Sequence, residues 1–217
     1  MAVDFEAERE RMIAEQLEAR GFDDELVLGA FRRVPRHLFV DPDHWEQAYD
    51  DHPLPIGEEQ TISQPYMVAL MSEALLLCGG ERVLEVGTGS GYQSAVLAEM
   101  GARVVSLERL PELAERARRV LGSLGYLDRV TLEVGDGTLG WPAGAPYDAI
   151  VVTAGSPQIP RPLIAQLAEG GRLVLPMGDE DVQTLVRVVR GAQGLKEQCL
   201  GECRFVKLLG SFGWEEP

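Results

Sequence analysis

From Arg82 onward, short and nearly uninterrupted apolar runs alternate with segments whose apolar positions recur at helical spacing. The runs at 83–86, 104–107, 130–134, 147–153 and 172–175 predict strands. Between them, 92–100, 111–124 and 161–167 predict helices, with Pro111 in the first turn of the second. Strands that lack polar alternation are buried on both faces, so this order predicts a parallel sheet with helices on either side. Residues 182–189 and 199–209 add two more strands, and Gly191-Ala-Gln-Gly194 between them predicts an antiparallel pair. The expected class is α/β: a doubly wound, mostly parallel seven-stranded sheet closed by an antiparallel C-terminal strand pair.

The first 80 residues read differently. Residues 5–20 carry Met12, Ile13 and Leu17 on a helical period that Gly21 closes. Residues 23–34 begin with an acidic cap and form a second helix, which Pro35 ends. The stretch 41–64 is rich in Asp, Pro and Gly and reads as a long loop with a short turn near Trp45. Loops of that length inside a compact domain are usually functional. A helix follows from Pro65 to about Leu77. The whole chain, 1–217, is expected to be one domain, with helices and a substrate-facing loop over 1–80 and a cofactor-binding core over 81–217.

Charge narrows the possible functions. Acidic residues number 35 and basic ones 20, giving a net charge of −15. A phosphate-backbone binder needs a basic surface, so nucleic acid is not an expected partner. No apolar run reaches membrane-span length, and residues 1–20 are charged throughout, unlike a signal or transit peptide. A cytoplasmic monomer without membrane contact is expected. Cys78, Cys199 and Cys203 read as free thiols, and His37, His44 and His52 have no acidic or cysteine cluster at ligand spacing, so no metal site is expected.

Candidate chemistry lies at three successive strand ends. The first is Arg82-Val-Leu-Glu-Val-Gly-Thr-Gly-Ser-Gly-Tyr92, a strand, a glycine turn and a helix start. Gly87, Gly89 and Gly91 free the backbone to turn tightly and let a ligand lie against it, while Thr88 and Ser90 sit between them. The helix start offers unpaired N–H groups to an anionic ligand group. The second is Glu108, 17 residues after Gly91, an acid placed to accept hydrogen bonds from ribose hydroxyls. The alternative for Glu108 with Arg109 is a surface ion pair. The third is Asp136 with Gly137, where the carboxylate could reach an adenine amine or merely form a turn. Gly-x-Gly-x-Gly suits S-adenosylmethionine better than a dinucleotide, whose pyrophosphate needs closer backbone packing. Glu85 would complement the amino-acid end of that cofactor.

Several motifs then resemble one family in order: Val34-Pro-Arg-His-Leu-Phe-Val40, Leu54-Pro-Ile-Gly-Glu-Glu-Gln-Thr-Ile-Ser-Gln-Pro-Tyr-Met67, the glycine turn, Asp136-Gly137, Tyr147-Asp-Ala-Ile-Val-Val-Thr153 and Gly170-Gly-Arg-Leu-Val-Leu-Pro-Met-Gly178. They resemble the protein-L-isoaspartate O-methyltransferases over residues 5–206, within the Rossmann-like class I methyltransferase superfamily. The resemblance implies methyl transfer from S-adenosylmethionine, leaving S-adenosylhomocysteine, to the free carboxylate of L-isoaspartyl residues in damaged proteins and peptides. The ester then collapses to a succinimide, and repeated cycles restore aspartate. It also implies that Ser63 is the active-site serine, orienting the attacking carboxylate, and that Thr61 and Ile62 line the junction of cofactor and substrate. The same hydroxyl has a plainer use as cap of the helix that opens at Gln64-Pro65. Leu54, Ile56, Ile62, Thr153 and Ala154 are the expected substrate contacts, gripping an extended peptide by its main chain rather than by a charged clamp. The sequence departs from the family at Lys207-Leu-Leu209, where Pro-Leu is usual, and the tail 211–217 matches nothing in the pattern.

Three other readings compete. A class I methyltransferase acting on a small-molecule carboxylate would share the turn but not Gln60-Thr-Ile-Ser-Gln-Pro65. An NAD-linked oxidoreductase would share Glu108 but not the glycine spacing. A non-catalytic module would not need Ser63.

Overall fold

The computed structural model describes residues 3–215; Met1, Ala2, Glu216 and Pro217 lie outside it, with the ends of the two terminal segments read above. Helix α1, Phe5–Met12, starts where the Asp4 carboxylate accepts the amides of Glu6 and Ala7 at 3.2 and 3.1 Å. It widens into a π-helical turn, tightens into a 3₁₀ turn and stops at Gly21, whose φ of 92° no other residue type adopts cheaply. Helix α2, Glu25–Arg33, is capped by Asp24, one residue later than the sequence pattern places its start.

The stretch 41–64 is not one loop. A 3₁₀ segment covers Pro42–Gln47, and strands β1 (Leu54–Gly57) and β2 (Gln60–Ile62) form an antiparallel hairpin. Its signals are weak. Pro55 sits inside the first strand, and the turn runs through Glu58 and Glu59 at φ 51° and 57°, where Asn or Gly would normally stand. Arg116 holds the hairpin to the body by donating to the Ile56 carbonyl at 2.5 Å. Helix α3 spans Pro65–Ala74 and ends short of Leu77 because Leu76 turns left-handed at φ 51°.

The main sheet contains β3 (Arg82–Val86), β4 (Arg103–Glu108), β5 (Val130–Val134), β6 (Tyr147–Val152), β7 (Leu167–Gly178), β8 (Gln183–Gly191) and β9 (Gly194–Cys203), in the spatial order β5-β4-β3-β6-β7-β8-β9. Pairing is parallel from β5 through β7 and antiparallel for β7–β8 and β8–β9, as expected. Helices α4 (Tyr92–Glu99), α5 (Pro111–Ser123) and α6 (Arg161–Gln166) connect the strands. Strand alternation explains the uninterrupted apolar runs. Val83, Ala149 and Val151 face a core shared with α2–α5, while Leu84, Val86, Ile150 and Val152 face a second core with Leu163 of α6.

The last strand differs from expectation. β9 ends at Cys203 because the Phe205 amide turns to the Gln183 side-chain carbonyl at 2.8 Å, leaving the ladder. Residues beyond it cross back over the strand ends. The Gly155 amide donates to Val206 at 2.7 Å, and the Leu208 amide donates to Gly155 at 2.8 Å. The N-terminal segment is tied to the glycine-turn helix by Arg36. Wholly buried, it donates to the Ala48 carbonyl at 2.7 Å and lies 4.9 Å over the ring of Tyr92. Burial lowers its pKa to about 10, so the guanidinium remains charged at neutral pH.

Candidate active site

The carboxyl ends of β3, β4 and β6 open into one cleft, as the topological switch of a doubly wound sheet dictates. Its floor is the glycine turn. The amides of Gly87 and Thr88 both donate to the Leu107 carbonyl, at 2.8 and 3.1 Å. Gly87 and Gly89 have φ of 97° and 53°, and Gly91, at 88°, is the N-cap of α4. A Cβ on Gly87 would collide with the Thr153 hydroxyl, which itself donates to the Gly87 carbonyl at 2.7 Å. The turn and the end of β6 therefore form a cradle with no room for a side chain between them.

Glu108 closes one wall. Its two oxygens accept from the amides of Gly89 at 2.8 Å and Leu110 at 3.0 Å, which fixes the carboxylate against the turn. Each oxygen keeps acceptor capacity for a further donor. Leu107 and Leu110 make the neighbouring surface apolar, and Gly137 and Arg109 also border the cleft. A carboxylate beside an apolar slot and a side-chain-free turn fits a nucleoside bearing an amino-acid tail. Among the described residues, no group of acidic, histidine or cysteine side chains could hold a metal.

Thr61, Ile62 and Ser63 also line the cleft, together with Thr153 and Ala154. Ser63 is not a helix cap. Gln64 occupies the N-cap of α3, and no side-chain hydrogen bond caps that helix. Thr88 and Ser90 border the cleft as well; the Thr88 hydroxyl lies 2.6 Å from that of Ser106, and the Ser90 hydroxyl accepts the Tyr92 amide at 3.2 Å.

Five expected site residues lie elsewhere. Gly91 heads α4 and is packed against Ala117 and Leu121 of α5 rather than bordering the cleft. Glu85 is wholly buried beneath the turn rather than meeting an amino-acid tail. Period-two alternation sends it to the face of Val83, under α4, and the parallel register sets it beside Ser106. One of its oxygens accepts from the hydroxyls of Ser94 and of Ser106, the latter at 2.7 Å; the other has no partner among the described residues. Desolvation raises its pKa to about 7 against the opposing pull of the two serines. Leu54 and Ile56 point into the core, because the hairpin buries alternate residues and leaves Pro55 and Gly57 outside. Asp136 accepts from Thr138 (amide 2.9 Å, hydroxyl 2.6 Å) and from the Ser211 amide at 2.8 Å. Burial alone would raise its pKa, but these donors outweigh it and hold the carboxyl below its ordinary range.

The family resemblance implies that the C-terminal end helps close the site, but it names no residue there. Val206, Lys207, Leu208 and Leu209 border the cleft, carried there by the crossing segment. The tail that matched no pattern anchors it: the Phe212 amide donates to the Thr138 hydroxyl at 3.1 Å, and the Trp214 indole donates to the Gly155 carbonyl at 3.1 Å.

Known proteins resemble this chain in sequence and fold. A family profile described as protein-L-isoaspartate(D-aspartate) O-methyltransferase matches residues 7–212. Protein-L-isoaspartate O-methyltransferase 1 of Syntrophobacter fumaroxidans is 59% identical over 98% of this chain and 99% of its own length. The protein-L-isoaspartate O-methyltransferase of Syntrophotalea carbinolica is 56% identical over 99% of both chains. A solved protein-L-isoaspartate O-methyltransferase superposes with a TM-score of 0.83 at 34% identity, covering 94% of this chain and 67% of that one. A Plasmodium falciparum structure described as this enzyme in complex with S-adenosyl-L-homocysteine superposes with a TM-score of 0.81 at 26% identity, covering 96% of this chain and 99% of that one. With the profile spanning nearly its whole length, the chain belongs to the protein-L-isoaspartate(D-aspartate) O-methyltransferase family.

Proposed function

We infer that this protein methylates the free carboxylate of L-isoaspartyl residues in damaged proteins and peptides, using S-adenosylmethionine, and so starts their repair to aspartate. The observation that carries this reading is the cleft itself, where the glycine cradle with Thr153, the Glu108 carboxylate and Ser63 line one cavity. S-adenosylmethionine supplies an electrophilic methyl group on a sulfonium. Gly87 to Ser90 would hold its amino-acid end, Glu108 its ribose hydroxyls, and Leu107, Leu110 and Gly137 its base.

The chain has little proton chemistry to perform. An isoaspartyl carboxylate is already ionised at neutral pH, so no general base is required. What the protein supplies is alignment and the exclusion of water, for which small displacements carry large rate penalties. Ser63 donates to and orients the acceptor carboxylate, while Ile62, Thr153 and Ala154 set where the peptide main chain passes. Isoaspartate and aspartate carry the same charge and differ by one methylene in the main-chain path, so discrimination rests on that path. Leu54 and Ile56 support the wall from within rather than touching substrate.

Because Ser63 caps nothing, Ser63→Ala is expected to leave unfolding free energy within about 0.5 kcal/mol of wild type. Turnover on isoaspartyl peptide should fall about tenfold or more, with S-adenosylhomocysteine affinity unchanged. Unfolding curves and steady-state kinetics on the same preparations check both; unchanged turnover would remove Ser63 from the reaction. The function itself is tested by incubating an isoaspartyl peptide with enzyme and S-adenosylmethionine. A base-labile methyl ester should form and aspartyl peptide accumulate over repeated cycles. Absence of ester would overturn the reading.

A further inference from the structure

Lys207 is a cation on the rim of the cleft of a protein whose net charge is −15. It is exposed, yet its position is tightly specified. The backbone on either side of it is hydrogen-bonded to Gly155, directly after Thr153 and Ala154. Its ammonium lies 5.8 Å from the ring centroid of Trp214, whose indole is pinned to the Gly155 carbonyl. Its one ion-pair partner among the described residues is Glu180, at 2.6 Å. Glu180 sits on the tip of the β7–β8 hairpin. That tip is shaped by Asp179, which accepts from the amides of Asp181 and Val182 at 2.9 and 2.7 Å. Both members of the pair are about half exposed, with side-chain exposures of 45% and 54%. Such pairs are weak and salt-screened, so another carboxylate can displace Glu180 at little cost.

We propose that Lys207 is a peptide-binding residue: its ammonium takes a carboxylate of the acceptor peptide, with Glu180 as the internal carboxylate that keeps the ammonium placed until one arrives. This rests on the function inferred above and adds a substrate contact to it. The carboxylate is either that of the isoaspartyl residue or that of an acidic neighbour. In an acidic protein such a cation offsets the field that repels an anionic peptide and raises productive encounter. The plainer use of the pair, stapling the hairpin to the crossing segment, predicts a change in stability but no salt-dependent change in KM.

The test compares wild type with Lys207→Met, Lys207→Arg and Glu180→Gln. Two isoaspartyl peptides are used, one with neutral flanks and one with a flanking glutamate, at about 20 and about 200 mM salt. Lys207→Met should raise peptide KM about fivefold at low salt, with a smaller effect on kcat and none on S-adenosylhomocysteine affinity. Its KM should respond less to salt. Lys207→Arg should restore wild-type KM, and Glu180→Gln should lower it. An equal rise for both peptides assigns the acceptor's own carboxylate; a larger rise for the glutamate peptide assigns the flank. KM values within twofold of wild type for Lys207→Met on both peptides, or salt responses parallel to wild type, overturn the proposal while leaving the methyltransferase reading intact. Failure of wild type to methylate either peptide overturns that reading instead.

Discussion

Gly87→Ala is expected to weaken cofactor binding severely. The residue sits at φ 97°, a region that costs a residue with a Cβ about 1–2 kcal/mol before any contact is considered. Its new methyl would also collide with the Thr153 hydroxyl. That hydroxyl cannot simply rotate away without loss, because it donates to the carbonyls of Val86 and Gly87 at 3.1 and 2.7 Å. The strain is relieved only if the turn moves, and the turn is held by the Gly87 and Thr88 amides on Leu107 and the Gly89 amide on Glu108. A shift therefore displaces both the cradle and the carboxylate proposed to hold the ribose. We expect S-adenosylhomocysteine affinity to fall about a hundredfold or more and stability to fall by about 2–4 kcal/mol. Gly135→Ala is the control: it has open space around it and no left-handed backbone, so binding should be unchanged. Calorimetry on folded protein reads the difference, and an affinity within threefold of wild type for Gly87→Ala would show that the cradle is not needed.

Glu85 should make stability depend on pH in a direction opposite to most acidic residues. Its folded pKa, about 7, lies above the value near 4.5 expected in the unfolded chain. Between those values the folded protein holds a proton that the unfolded chain has released. Stability from this group is therefore full at the acid end and lost as pH rises to about 7. The full span is worth about 3 kcal/mol. Glu85→Gln keeps the shape and an acceptor for Ser94 and Ser106 while removing the titration. Urea unfolding at pH 5, 6, 7 and 8 should show wild type losing stability relative to Glu85→Gln as pH rises, with the variant the more stable at pH 8. Parallel profiles would mean that Glu85 stays ionised throughout.

The legible parts of this protein were those where one physical constraint dominates the sequence. A strand covered on both faces must be apolar at every position, so Ala149 to Val152 announced the central sheet. A left-handed turn against another backbone demands glycine, so Gly87, Gly89 and Gly91 announced the cleft. Other features carried no such mark. The β1–β2 hairpin turns on two glutamates in left-handed conformations, which read as ordinary loop residues. Leu54 and Ile56 were read from the motif as substrate contacts, but whether they face substrate or core depends on the phase of a short strand that had not been recognised. Glu85 was misplaced for the same reason: in a strand buried on both faces, alternation exists without polar contrast to display it. The rim at 206–209 depends on where β9 releases the chain, a choice made by a tertiary bond between Phe205 and Gln183. Asp136 was read as an adenine contact or a turn, but besides Thr138 its carboxylate is held by the Ser211 amide, 75 residues away along the chain.

Discrimination by main-chain path means that this cleft aligns an isoaspartyl carboxylate for methyl transfer and rejects an aspartyl one of the same charge. Radiolabelled methyl transfer to two peptides identical except for isoaspartate or aspartate at one position tests it most directly. We predict base-labile label on the isoaspartyl peptide and none above background on the aspartyl peptide. Comparable labelling of both, or label only on the aspartyl peptide, would contradict it.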